Sequence, residues 1–395
     1  MMKRKLLIIG ASILQLPAIT KAKEMGLEVA VTDFNPEAIG IPYADKYFNA
    51  STIDIEAIVR IAEEYQPDGI ITLATDMPMR SIAAATSKLG LVGITFDTAL
   101  KSTDKAEMIK AFHSAGVPAP WYYIITNEAV FNEKFAEFTF PCIMKPTDNS
   151  GSRGVTLVKS VDELVDAYKY SREQSRNGSV IVEEYLQGHE VSAEVIVYKS
   201  KVHILQVTDK LTTGAPNFVE MGHSQPSLFI GETLDRIHDV ATKACVAVGI
   251  ENGPAHVEMM VTECGPKMIE LGARMGGDCI ATHLVPLSTG IDMIKATIDI
   301  ALGNEPDLEQ KLYCGSAIRY FDLPLGTIKS ITGEYDAMNE EGVCAIMFTK
   351  HVGDNVTSIH SSLDRVGMII CQAKSAEAAI TQCIKAKKKV KFEIE

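Results

Sequence analysis

The eight cysteines, at 142, 245, 264, 279, 314, 344, 371 and 383, include no Cys-x-x-Cys pair. That excludes the common zinc and dithiol frameworks and leaves reduced thiols, as expected of a cytoplasmic protein. No stretch approaches the roughly 20 apolar residues of a membrane span. Met1-Met2-Lys3-Arg4-Lys5 is followed only by Leu6–Ile9 before Gly10, too short for a signal sequence. The net charge of -13 repels phosphate backbones and argues against nucleic acid as a partner. The one dense basic run, Lys385 to Lys391, reads as a solvated helix end followed by a short strand. The chain has no internal repeat, no low-complexity segment and no convincing Ser-His-Asp or Cys-His constellation. Its first strand is followed by Gly10-Ala-Ser-Ile-Leu-Gln rather than Gly-x-Gly-x-x-Gly, so Asp33 reads as a strand-end residue and not as a ribose ligand.

What is present reads as α/β. Strand and helix alternate over residues 5 to 100, predicting an open parallel sheet. The predicted strands include 5–10, 27–33, 69–73 and 92–94, and the helices 17–25, 55–65 and 79–89. A helix over 103–115 stops at Gly116 with Pro118 beyond. From Phe140 the pattern turns to strands and glycine-bearing turns, with helices at 161–174, 233–248 and 290–303. Residues 312–395 read as a small α+β unit. The expected domains are 1–100, 101–311 (with a subdomain at about 118–182) and 312–395.

Residues 255–274 read as a hairpin turning near Cys264 at Gly265-Pro266. Alternation puts Val257, Met259, Val261, Ile269, Leu271 and Ala273 on one face. The other face receives His256, Glu258, Met260, Met268, Glu270, Gly272 and Arg274. Glu258 and Glu270 then stand opposite one another, about 5 Å apart at Cβ, which destabilises a sheet unless a cation intervenes. Mg²⁺, shared with substrate phosphates, suits such a pair. A solvated outer face with Arg274 as counter-ion explains it equally well.

Two further segments bear on the choice. Lys145 ends a strand and can hold an α-phosphate as a point charge. The loop Asn149-Ser150-Gly151-Ser152-Arg153-Gly154 can bring backbone N–H groups close to outer phosphates, although such loops also make plain hairpins. In Val180-Ile-Val-Glu183-Glu184-Tyr-Leu186-Gln-Gly-His-Glu190, Glu183 and the Leu186 backbone can serve an adenine and Glu190 a ribose. A charged turn between strands is the alternative.

Asp104-Lys105, Met144-Lys145-Pro146, Gly151-Ser-Arg-Gly154, Glu183 to Glu190, Glu258 and Glu270-Leu-Gly-Ala-Arg274 together resemble the ATP-grasp superfamily. That superfamily includes biotin carboxylase, the carbamoyl-phosphate synthase large subunit, D-alanine–D-alanine ligase and L-amino acid ligases. The resemblance implies an N-terminal pre-ATP-grasp sheet, a central ATP-grasp α+β domain and a small C-terminal unit. It places Lys105 and Lys145 on the ATP phosphates, residues 150–154 in a flexible flap, and Glu183, Glu184, Leu186 and Glu190 around the nucleoside. Glu258 and Glu270 would bind Mg²⁺ (or Mn²⁺), and Arg274 would face an acyl phosphate or substrate carboxylate. Many relatives carry Asn where this chain has Gly272, which leaves the second ion's coordination open.

The implied activity is an ATP-dependent carboxylate–amine ligase, forming an amide through an acyl phosphate and releasing ADP and phosphate. Its partners would be a small carboxylate and an amine, with a homodimer left open. His223, His256, Asp278 and His283 are candidate substrate-side residues. A biotin-dependent carboxylase, a purine-pathway enzyme resembling phosphoribosylglycinamide synthetase, and a nucleotide-binding regulatory protein compete with this reading. Intact Lys145, Glu258, Glu270 and Arg274 weigh against the last.

Overall fold

The computed structural model describes residues 3–149, 151 and 153–395. Among these, β1 (Lys5–Ile9), β2 (Glu28–Asp33), β3 (Lys46–Asn49) and β4 (Gly69–Ile71) form a parallel sheet in the order β3-β2-β1-β4. The helices α1 (Leu16–Glu24), α2 (Ile55–Tyr65) and α3 (Met79–Leu89) connect and cover it. Asp54 caps α2 by accepting from the Ala57 N–H at 2.9 Å, which fixes the start that the apolar spacing predicts. The strand expected at 92–94 is absent. Ile94 is buried by packing instead of by ladder bonds, and Thr95 already caps the next helix, α4 (Phe96–Lys101). A fifth helix, α5 (Lys105–Ser114), follows with Asp104 as its cap.

β5 (Tyr122–Ile125), β6 (Cys142–Pro146), β7 (Thr156–Val158) and β8 (Val180–Glu184) form a separate sheet in the order β5-β8-β6-β7, backed by the helix Leu164–Glu173. The largest sheet takes β9 (His189–Tyr198), β10 (Lys201–Thr212), β11 (Glu220–Gln225), β12 (Gly253–Thr262) and β13 (Gly265–Gly272). It continues without a break into the C-terminal unit, through β14 (Gly315–Tyr320) and, further along the chain, β16 (Val343–Phe348) and β18 (Gly367–Ala373). The remaining strands, β15 (Gly326–Thr332), β17 (Asn355–Val356) and β19 (Lys391–Ile394), make a small sheet of their own. The sheet therefore runs across the boundary expected at 312.

One apolar core joins the N-terminal sheet, α2, α3 and α5 to the helix Gly231–Val248 and the inner face of β12 and β13. A second joins β1, β2 and α1 to the helix Met293–Ala301. Together they fix the N-terminal sheet against the large sheet, and this sets the walls of the site. The basic tail behaves as its composition predicts: Lys385 and Lys389 both pair with Glu340, and the chain ends in β19. No helix among the described residues is long and apolar enough to cross a membrane.

Candidate active site

Two adjoining cavities lie between the sheets. The first is a cleft under β6, β8 and the β12–β13 hairpin. Ile143, Leu186, Met260 and Met268 give it an apolar floor, and Lys105, Lys145, Glu183, Glu184 and Glu190 give it charge. Lys145 Nζ lies 2.6 Å from Glu183 Oε2, with both side chains buried. Glu183 is thus tied to the lysine. Glu184 pairs with Lys267 at 2.8 Å, and its N–H donates to the Trp121 carbonyl at 3.0 Å, which sets the turn into Tyr185-Leu186. Gly151 and Arg153 line the cleft's outer side, while Ser150 and Ser152 fall outside the described residues. Gly154 has φ +80°, and a Cβ there would stand 2.6 Å from Pro146 Cγ, so only glycine fits.

The hairpin puts Glu258 directly opposite Glu270. The turn itself is at Glu263-Cys264, because Thr262 pairs with Gly265. A register shift between Glu258 and Met259 brings the two glutamates back into line. It also overturns part of the face assignment expected from strict alternation. Met259 pairs with Met268, so Met268 joins the core, while Ile269 is only half-buried and lines the cleft.

Each glutamate already carries an ammonium. Lys105 Nζ is 2.8 Å from Glu270 and donates to the Asn149 carbonyl. Lys210 Nζ is 2.5 Å from Glu258, 2.9 Å from Glu190 and 3.5 Å from Glu220. Burial favours the neutral form of Lys210, but three carboxylates outweigh it and hold the lysine well above its ordinary range. Burial likewise raises Glu258, and Lys210 with His256 outweighs that effect, so its carboxyl titrates well below the usual range. His256 bridges Glu194 at 2.9 Å and Glu258 at 3.1 Å. Burial lowers its pKa, and the two carboxylates more than reverse this, to about 9.

The second cavity shares Gly151, Arg153, Glu220, Glu258 and Glu270 with the first. Its far wall holds Arg274, His223, Asp278 and the C-terminal loop Ser361-Ser362-Leu363. Asp76 holds Arg274 bidentately, Nε to Oδ1 at 2.9 Å and Nη2 to Oδ2 at 3.1 Å. Asp278 takes both Nη atoms of Arg365 at 2.7 Å and His223 Nε2 at 3.3 Å. The Arg365 guanidinium lies 3.9 Å from the Tyr320 ring centroid. Burial raises the Asp278 pKa, and Arg365 and His223 drive it far below the ordinary range. His283 lines neither cavity; its ring bonds to Thr282 at 2.8 Å.

The structure therefore gathers Lys105, Lys145, Gly151, Glu183, Glu184, Leu186, Glu190, Glu258 and Glu270 at the first cavity and His223, His256, Arg274 and Asp278 at the second. Sequence reasoning missed Lys210, Glu220, Asp76, Glu194 and Arg365. Nothing local marked Lys210, since its strand also carries Lys201, His203, Gln206 and Asp209.

Paired carboxylates, two buried lysines and a cleft with an apolar floor beside a second polar cavity are the arrangement that ATP-dependent phosphoryl transfer requires. Residues 138–282 match the sequence profile of the ATP-grasp domain, so the chain carries an ATP-grasp domain and is similar to the ATP-grasp ligases. Residues 319–395 match a second profile, L-amino acid ligase C-terminal domain 2. Alanine–anticapsin ligase of Bacillus subtilis (strain 168) is 26% identical over 327 residues, covering 76% of this chain and 68% of the relative. The L-amino acid ligase of Bacillus licheniformis superposes with a TM-score of 0.85 at 21% identity, covering 100% of this chain and 99% of that one. Phosphoribosylglycinamide synthetase of Anaerococcus prevotii gives 0.81 at 23% identity, with 100% of both chains covered. These structural likenesses establish the fold. ATP and a divalent cation belong to the family's chemistry.

Proposed function

We propose that the chain is a carboxylate–amine ligase. ATP phosphorylates a small carboxylate, and an amine then displaces phosphate to leave an amide and ADP. The observation that carries this reading is the shared wall of the two cavities. Glu220, Glu258 and Glu270 border both, with Lys210 and Arg274 beside them, so the transferred phosphoryl group and the acceptor meet at one charged partition. The C-terminal match to an L-amino acid ligase domain supports an amino acid among the substrates.

The roles follow from position. Lys105 and Lys145 neutralise phosphates, Glu183 holds Lys145 in place, the backbone at Glu184 and Leu186 meets the adenine edge, and Glu190 meets the ribose. Gly151 and Gly154 let the flap backbone approach the outer phosphates. Lys210 lies where the γ-phosphoryl group would transfer.

The donor set also fits a hard divalent cation, Mg²⁺ or Mn²⁺. Glu258 and Glu270 face one another with only oxygen donors, and each is now neutralised by a lysine. Among the described residues no three His, Cys, Asp or Glu side chains converge as a metal-binding group, so phosphate oxygens and water would complete the shell. When bound, the ion would neutralise charge on the transferring phosphoryl group. The protein's share is to align carboxylate and phosphate and to supply pre-oriented cations.

A screen of pooled amino acids with ATP, read by phosphate release, tests the reading. Release that requires both a carboxylate and an amine is expected. ATP consumption that needs bicarbonate and biotin, and no amine, would overturn it.

A further inference from the structure

Arg274 has a partner that no local pattern announces. Asp76 sits in the loop between β4 and α3, and its carboxylate reaches across to the end of the β12–β13 hairpin to grip the guanidinium through Nε and Nη2. Both side chains are only 17% exposed. A third N–H, on Nη1, goes to the Met275 carbonyl at 3.3 Å. A guanidinium has five N–H groups. With these three engaged, two remain, one on each Nη. That is the complement of one two-oxygen anion bound end-on.

Gly272 makes this arrangement possible. A Cβ at 272 would stand 2.5 Å from Asp76 Oδ1 and 3.0 Å from Arg274 Nε. Neither atom is the free end of a flexible chain, since each is held by the other. Any side chain at 272 must therefore displace the Asp76–Arg274 pair. Glycine on this strand is the condition for bringing in a carboxylate from the N-terminal sheet.

We propose that Asp76 is the positioning residue of the acceptor site. It fixes the Arg274 plane so that its two remaining N–H groups present one anion to the Glu258–Glu270 partition, and Gly272 is its obligate counterpart. The anion's identity, the substrate carboxylate or the acyl phosphate made from it, rests on the ligase reading. The positioning itself does not. The pair also leaves the Arg274 site close to neutral, so the anion is selected by directional hydrogen bonds more than by net charge.

The test is a double-mutant cycle with two readouts. The variants are Asp76→Asn, Gly272→Ala and the two combined; the first is isosteric and should fold. The first readout needs no substrate: calorimetric titration of the MgADP-bound protein with inorganic phosphate. Each single variant should weaken phosphate about 10-fold and leave MgADP affinity within about 2-fold, and the combined variant should be no worse than either, because both changes break one pair. The second readout is phosphate release with the amino-acid pool, where kcat should fall and the KM for ATP should hold. Phosphate affinity equal in all four proteins would overturn the proposal. So would additive losses, an equal loss of MgADP affinity, or no phosphate binding by the wild type. If the cycle behaves as stated and no amine supports turnover, the ligase reading fails while the role of Asp76 stands.

Discussion

At the proposed nucleotide end of the site, two of the defining juxtapositions come from strands that pair directly, while Lys105 reaches Glu270 from a helix and Lys210 reaches Glu258 across β9. Lys145 on β6 and Glu183 on β8 lie on adjacent strands, and Glu258 faces Glu270 across one hairpin. At the acceptor end the defining contacts join distant parts of the chain. Arg274 meets Asp76 across 198 residues, and Arg365 meets Asp278 across 87. The two ends also differ in charge balance. The nucleotide end gathers carboxylates and lysines that a metal and phosphates can rearrange. The proposed acceptor end closes Arg274 on Asp76 and Arg365 on Asp278. On the proposed reading, part of nucleotide handling is written into local segments, whereas acceptor binding depends throughout on how the N-terminal and C-terminal units dock on the large sheet.

Lys210 belongs to the first kind of charge balance and should show the largest effect. Lys210→Met strands Glu190, Glu220 and Glu258 without their shared cation. Breaking a buried pair in this way costs about 3–5 kcal/mol. Urea denaturation without metal should show that loss, and Mg²⁺ with ADP should recover part of it. An unchanged midpoint in both conditions would mean that the carboxylates do not depend on Lys210.

Glu270→Gln keeps shape and removes charge. Phosphate release should drop roughly 10²–10³-fold, the scale of losing one transition-state charge contact, while circular dichroism stays the same. Near-normal turnover at saturating Mg²⁺ would detach Glu270 from the chemistry.

Arg365→Ala probes the other end. It leaves Asp278 without its bidentate partner and should cost about 2–3 kcal/mol, less than a fully buried pair because Asp278 is partly exposed. ATP affinity should not move, and the KM for an acceptor should rise. Asp278 has a depressed pKa in the folded protein, so its contribution is complete above the unfolded carboxylate value of about 4 and is lost as pH falls below it. Denaturation at pH 7 and near pH 3.5 should show the gap between wild type and variant shrinking in acid. A gap that widens would reverse the assignment.

The smallest contrast is in base choice. Backbone groups at Glu184 and Leu186 should prefer ATP to GTP by about 10–100-fold in kcat/KM, because guanine reverses the donor–acceptor pattern at the six-position. Equal turnover with both would remove the hinge reading.

Much of this was legible because period and punctuation are local. Helices α2 and α3 start and end where apolar spacing and the flanking residues, Asp54 and Gln66 for α2 and Pro78 and Gly90 for α3, place them. The Glu258–Glu270 juxtaposition was legible from counting across the turn, although it holds only because a register shift compensates for a turn half a residue off the expected centre. That same shift moved Met268 into the core, against alternation. Lys210 was not legible, since its three partners lie at positions 190, 220 and 258 and nothing in β10 refers to them. Gly272 was visible as a departure, but its reason lies with Asp76, on a loop of the N-terminal sheet. Residues whose roles come from docking two units leave no pattern in either unit alone.

The most direct measurement is interception of the acyl phosphate. With the carboxylate found by the screen, ATP, Mg²⁺ and no amine, hydroxylamine should trap a hydroxamate in step with ADP formation. Arg274→Lys should lose most of that signal and keep nucleotide binding through Lys145 and Glu190. ADP and amide forming together, with no hydroxamate under any condition, would contradict a phosphorylated carboxylate at the partition between the two cavities.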